Sequence, residues 1–202
     1  MIVRDTKLLE KLTKAIEVRT KRFHTDFSLP LAAEMWEEVL HRSMLDVGID
    51  SEWDNGRSHK VGEDINTSIF GRISCKSGVL KDDCVSFNGS RTGEYITLEE
   101  KINFLSADHD DCYFLLSKNT EDMCSKNFRY KILIFSSSVC KTNTLKWEET
   151  IGIKGKYKGK VNGWKGTGDF NAKITKSTSG QLWTELPLDK VEHIIEIDGN
   201  PS

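Results

Sequence analysis

Asp64 and Lys76 are the two side chains whose types and spacing bear most directly on chemistry. Asp64 opens an apolar, β-branched run from Ile65 to Ser77, and Lys76 lies near its end in Ser74-Cys75-Lys76. If the run folds back as a hairpin, both side chains converge at one end of a sheet. An acid beside a lysine at a strand edge suits phosphodiester hydrolysis. The carboxylate can hold Mg²⁺, which prefers hard oxygen ligands. The metal polarises the phosphate and lowers the pKa of a bound water. The ammonium orients that water and offsets charge in the transition state.

These residues need a frame. Asp5 to Arg22 reads as a helix, with Leu8, Leu12, Ala15, Ile16 and Arg19 at three- and four-residue spacing. A second helix is expected from near Ser28, with Pro30 in its first turn, to near Gly48. The strand from Ile65 to Ser77 is expected to break at Gly71, and Val79 with Val85 to Phe87 marks a neighbouring strand. Thr97-Leu98-Glu99-Glu100 is a capping box that starts a third, short helix through Ile102, Phe104 and Leu105. Cys112 to Leu116 and Tyr130 to Ser136 read as strands. The nearly continuous apolar run Lys131-Ile132-Leu133-Ile134-Phe135 is that of a strand covered on both faces. Beyond Ile151, glycines, lysines and tryptophans alternate in what reads as β-hairpins, and Leu182, Trp183 and Val191 to Ile197 complete the strands. The order predicts an α/β fold, a mixed sheet flanked by helices with a β-rich C-terminal region. At 202 residues one domain is expected, with a core over 1–150 and a basic β-rich part over 151–202.

In this frame, Asp64, nine intervening residues and then Ser74-Cys75-Lys76 resemble the PD-(D/E)xK nuclease superfamily, which includes many type II restriction endonucleases. The resemblance spans roughly residues 30 to 137 and includes the order acidic helix, Asp, strand, SxK, strand, capped helix, apolar strand. It implies a restriction-endonuclease-like core, a metal-binding Asp64, a catalytic Lys76, and Mg²⁺ on Asp64, the Cys75 carbonyl and Glu37. The superfamily's second acid stands where this chain has Ser74, and a hydroxyl is a poor substitute for a carboxylate. Some members take that acid from a helix. At about 100° per residue, Glu37 falls on the border of the apolar face formed by Ala33, Trp36, Leu40, Ser43, Met44 and Val47, whereas Glu34 and Glu38 point away. Glu63 is the competitor, but it neighbours Asp64 on a strand and so faces the other way.

Charge adds a second theme. The formal net charge is −2, yet Ile151 to Lys176 holds seven lysines and one acid, a local +6, so the remainder carries −8. One basic lobe on an otherwise acidic chain can grip a polyanion locally. Lys154, Lys156, Lys158 and Lys160 alternate and would share one face of a strand, with Tyr157 and Trp164 interleaved and Lys165 beyond. His59 and Lys60 precede Asp64 and are candidates for phosphate contact. Ser90, Arg91 and Thr92 form a glycine-flanked loop suited to phosphate or base contact, since a guanidinium pairs bidentately with guanine. Asn162, Asn171 and Gln181 carry base-reading side chains.

Other classes are excluded by what is missing. No GxxxxGK[ST] loop, GxSxG elbow or HExxH helix occurs. The five cysteines, Cys75, Cys84, Cys112, Cys124 and Cys140, form no CxxC pair, and the histidines are scattered, so a structural zinc site is not expected. No apolar window suits a membrane span or a signal peptide, and reduced cysteines in a cytoplasmic protein are expected. The reading is a Mg²⁺-dependent, site-specific endonuclease on double-stranded DNA, acting as a homodimer if its target is palindromic. A structure-specific repair or junction nuclease would share the core, and a non-catalytic DNA-binding module would explain Ser74.

Overall fold

The computed structural model describes residues 5–53, 64–107, 109–118, 127–176 and 179–201. Among them, three helices accompany one large mixed sheet, in a strand-rich α/β arrangement.

Helix α1 (Thr6–Asp26) begins where the Asp5 carboxylate caps the backbone N–H groups of Lys7 and Leu8 at 3.0 and 3.1 Å. It runs four residues past Arg22, because His24 is buried, its Nε2 2.8 Å from the Tyr130 hydroxyl and its ring stacked on Phe128. Helix α2 (Ala33–Asp46) starts later than its proline suggested. The N–H of Leu31 donates to the Tyr130 hydroxyl at 3.2 Å, which holds the Pro30 segment extended against the sheet. The fully buried Trp36 of α2 fixes the helix by donating its indole N–H to the Phe114 carbonyl at 3.0 Å.

Strands β1 (Ser51–Trp53) and β2 (Ile65–Thr67) pair with each other, and β2 turns at 68–70 into β3 (Gly71–Lys81). Gly71 takes φ +70°, open to glycine at little cost, so the expected break falls there. Val79 belongs to β3 itself and not to the next strand. The chain reverses at Asp82 and Asp83, both in the left-handed region (φ 49° and 59°), as a two-residue hairpin turn requires, and enters β4 (Cys84–Arg91). Helix α3 (Leu98–Ser106) carries the predicted capping box: Glu100 N–H donates to Thr97 Oγ1 at 3.2 Å and Thr97 N–H to Glu100 Oε2 at 2.8 Å. It leads to β5 (Cys112–Lys118), which lies parallel to β3, and β6 (Arg129–Ser136) returns antiparallel.

The remaining strands are β7 (Lys146–Ile151), β8 (Val161–Thr167), β9 (Asn171–Thr175), β10 (Gln181–Pro187) and β11 (His193–Asp198). The sheet order is β11-β6-β5-β3-β4-β10-β9-β8-β7, with β2 attached to β3. Strands from both sides of residue 150 therefore share one sheet. One face of its first half packs on α1 and α2 through Ile73, Cys75, Phe114, Leu116, Ile132 and Ile134. The opposite face packs a second core of Val85, Phe87, Leu115, Phe135, Trp164, Ile174 and Leu186. Among the described residues no helix is long and apolar enough to cross a membrane.

Candidate active site

The two sides of β3 differ. On one side β5 pairs with it continuously from Ile73 to Val79. On the other, β2 covers Gly71 to Ile73 and β4 covers Gly78 to Lys81. Among the described strands, 74–77 therefore lie in a notch. The N–H and C=O of one strand residue point to the same edge, and alternate residues repeat it. The Ile73 carbonyl accepts the Asp64 N–H at 3.0 Å on the notch side, so both backbone groups of Cys75 face that side too.

Asp64 fills the notch. Its Oδ2 accepts the Cys75 N–H at 2.6 Å, the Lys76 Nζ at 3.2 Å and the Ser74 hydroxyl at 3.4 Å. One carboxylate oxygen thus ties the start of β2 to three consecutive residues of β3, with charge-assisted bonds that hold it in a single orientation. The Asp64 and Lys76 side chains are 22% and 25% exposed, open enough to be reached and closed enough for their charges to matter. Ser74 is buried and its hydroxyl is directed at Asp64.

Two further acids feel this pair, from opposite faces of the sheet. Glu37, half-buried on α2, has its carboxyl pushed up by burial and by the charge of Asp64, with the Trp53 indole and Lys76 pulling the other way. Asp110 precedes β5 on the face away from α1 and α2. Burial pushes its carboxyl up to about 7, Asp64 adds to the rise, and Lys76, Tyr113 and Arg72 oppose it. Its Oδ1 is buried without a hydrogen-bond partner among the described residues. The neighbouring Asp111 is engaged differently: Arg72 donates its Nε and Nη2 to the two carboxylate oxygens, both at 3.2 Å, which holds Asp111 charged. Sequence reading missed Asp110. The signal was there, an Asp-Asp doublet directly ahead of an apolar strand. The connection from β3 through β4 and α3 makes that strand a parallel neighbour of β3.

Three acids face one ammonium here, and the surplus negative charge adds to burial in raising Glu37 and Asp110. The donors are carboxylates and the Cys75 carbonyl, all hard oxygens suited to Mg²⁺. The Cys75 thiol is buried, and burial with the charge of Asp64 drives it well above the ordinary thiol range, so it offers no thiolate. Among the described residues, no three His, Cys, Asp or Glu side chains are already gathered at metal-gripping distance.

Compared with protein-family models, curated proteins and solved structures, the chain matches none.

The remaining sequence candidates scatter. Lys60, His59, Glu63 and Cys124 lie outside the described residues. Ser90 and Arg91 are not in a loop but end β4, where Arg91 pairs with Gln181 and is exposed. Thr92 is buried, and its hydroxyl donates to the Gly180 carbonyl. Lys154, Lys156, Lys158 and Lys160 are exposed but do not share a strand face. A short 3₁₀ turn at Gly155–Tyr157 and left-handed glycines at 155 and 159 (φ +66° and +71°) break the alternation into a compact loop between β7 and β8. The loop is held by the Tyr157 hydroxyl, which donates to the Lys176 carbonyl at 2.8 Å, while the Lys156 ammonium lies 4.9 Å above the Tyr157 ring. Lys165 projects from β8 and is exposed.

Proposed function

We propose that this chain is a Mg²⁺-dependent endonuclease of restriction type that hydrolyses phosphodiester bonds in duplex DNA. The observation that carries the reading is the notch in β3: the Asp64 carboxylate, the Cys75 backbone and the Lys76 ammonium converge at its unpaired stretch between β2 and β4, where the surplus of acid calls for a cation. Asp64, the Cys75 carbonyl and Glu37 would hold the metal. When bound, it supplies Lewis-acid polarisation of the phosphate and a water acidified for attack. Asp64 is held in register by β3, so its free oxygen has a fixed direction. Lys76, its Nζ 3.2 Å from Asp64 Oδ2, is placed to orient an attacking water and to meet charge on the phosphate oxygens. The basic loop between β7 and β8 holds the phosphate backbone, with affinity that falls steeply with salt. A palindromic target would call for a homodimer.

The second reading is a non-catalytic DNA-binding module. Ser74 supports it, because a buried hydroxyl takes the place of an acid. Incubation with a fully sequenced phage or plasmid DNA separates the two. Cleavage is expected in Mg²⁺, is abolished by EDTA, and falls roughly 10²-fold or more in Asp64→Ala and Lys76→Ala, as for loss of one preorganised electrostatic group. Discrete fragments mark a sequence-specific enzyme, whereas preference for branched substrates marks a structure-specific one. Salt-sensitive binding that survives Asp64→Ala, with no cleavage by the unaltered protein, overturns the enzyme reading.

A further inference from the structure

Among the described residues, the face of the sheet that carries α1 and α2 is covered over its first half alone. Across β10, β9, β8 and β7 no described residue covers the same face, which holds a shallow groove of about 370 Å³, lined by Thr150, Lys165, Asn171, Lys173, Trp183 and Glu185. That volume lies within the range of ligand-sized clefts. The strand register sets three of these residues in a row: Lys165 is opposite Lys173, and Lys173 is opposite Trp183. Trp183 is 45% exposed. Both lysines are exposed, and among the described residues neither has an ion-pair partner. Like charges directly opposite on a sheet oppose each other, and a large aromatic left in water forgoes its burial. Lys165 also lies opposite Glu148 on β7, so the unfavourable part of the row is the Lys165–Lys173 contact and the half of the Trp183 indole left in water.

We infer that this face is a binding platform for single-stranded DNA: an unpaired base stacks on the Trp183 indole, and the flanking phosphates meet Lys165 and Lys173. An aromatic plane flanked by cations is the chemistry of single-strand binding, because every base has a π-face and every linkage a charge. Bases inside a duplex stack on one another and offer no free face. The lysine-rich loop at 154–160 joins β7 to β8, just beyond Thr150 in the chain. The single-strand grip stands on this geometry, and the choice of DNA over RNA rests on the nuclease reading.

The test uses the full chain with a 20-nucleotide oligo(dT), a duplex of equal length and a 20-nucleotide oligo(U), followed by tryptophan quenching and anisotropy at several salt concentrations. Oligo(dT) is expected to bind and quench. Trp183→Ala should weaken it about ten-fold or more, and Trp183→Phe should keep most of the affinity. Lys165→Ala with Lys173→Ala should flatten the log–log salt slope by about 1.4, at about 0.7 for each phosphate no longer neutralised. Binding is measured in EDTA, where no metal-dependent cleavage takes place, so that a failed nuclease reading leaves this result intact. Circular dichroism confirms that each variant is folded. The proposal is overturned if oligo(dT) does not bind at low salt, or if Trp183→Ala binds it unchanged. It is also overturned if the duplex loses as much as oligo(dT) on that substitution, or if only oligo(U) binds.

Discussion

Two tryptophans, Trp36 and Trp183, show how differently the two halves of one sheet face are used. Trp36 lies fully buried between α2 and the sheet, its ring in the core and its N–H on the Phe114 carbonyl. Trp183 stands on the same sheet face, past the edge of the helices, and among the described residues nothing covers its outer surface. The covered half devotes its residues to order. Around the β3 notch this order fixes Asp64 to within one orientation. The open half devotes its residues to reach, with lysines and an indole displayed on paired strands. The largest test of the contrast is therefore thermodynamic. Trp36→Ala should cost about 3–5 kcal/mol by removing a buried aromatic and leaving a cavity. Trp183→Ala should cost clearly less, about 1–2 kcal/mol, because nearly half of the side chain is already in water and no closed cavity is left. Urea denaturation of the two variants measures both. A large loss at Trp183 would mean that the open face is a structural layer.

The second test concerns the electrostatics of the notch. Asp110 is buried, with its carboxyl held up at about 7. An acid whose folded pKa lies above its unfolded value near 3.9 binds more protons in the native state between the two. Stability attributable to Asp110 is therefore greatest at acid pH, declines as pH rises from about 4 to 7, and is level above that. The full span at 1.36 kcal/mol per unit is about 4 kcal/mol. Asp110→Asn should remove the decline and leave the protein more stable than the parent at pH 8, by about 1 kcal/mol or more once the hydrogen bonding of the carboxyl is allowed for. Unfolding curves at pH 5 and pH 8 decide it. An unchanged pH difference in the Asn variant would show that Asp110 is ordinarily ionised. Added Mg²⁺ should also reduce the difference if the surplus charge of Asp64, Glu37 and Asp110 is what a cation relieves.

A third, smaller effect lies at α3, in the connection that brings β5 parallel to β3. Thr97→Ala removes the N-cap hydroxyl and one half of the capping box, and should cost about 1 kcal/mol. Thr97→Ser should recover most of it. Thermal melts of the pair check this, and equal melts would mean that α3 is held by packing alone.

How much of this is legible in residues follows from how local each signal is. The capping box at Thr97 and Glu100 is a contact over three residues, and its sequence pattern announces it. The Asp64–Lys76 convergence needs only a hairpin at Gly71, and the β-branched run with a central glycine announces one. The start of α2 is not legible, because Leu31 is held extended by Tyr130, 99 residues away. Asp110 escapes for the same reason: its weight comes from a parallel neighbour on the far side of β4 and α3 in the chain. The lysine run at 154–160 misleads in the opposite way. Its alternation mimics a strand, but glycines at 155 and 159 adopt left-handed angles and fold it into a loop. Trp183 reads as an ordinary strand aromatic in sequence, since which face of a sheet is left uncovered depends on where the helices end.

The smallest effect probes whether the open half sacrifices stability for binding. Lys165 and Lys173 face each other across β8 and β9, and Lys165 also faces Glu148 across β7 and β8. Lys173→Glu converts a like-charge pair into an opposite-charge pair, worth roughly 0.2–1 kcal/mol on a sheet surface. The variant should be slightly more stable at low salt. The gain should shrink toward zero near 1 M salt, where the screening length is about 3 Å. The same substitution should weaken oligo(dT) binding and lower its salt slope. Gain of stability with loss of binding would identify the lysine pair as kept for a polyanion. If the glutamate variant is destabilised and binds unchanged, the lysine ammoniums serve the sheet itself, and the open face loses its claim to a different role from the covered one.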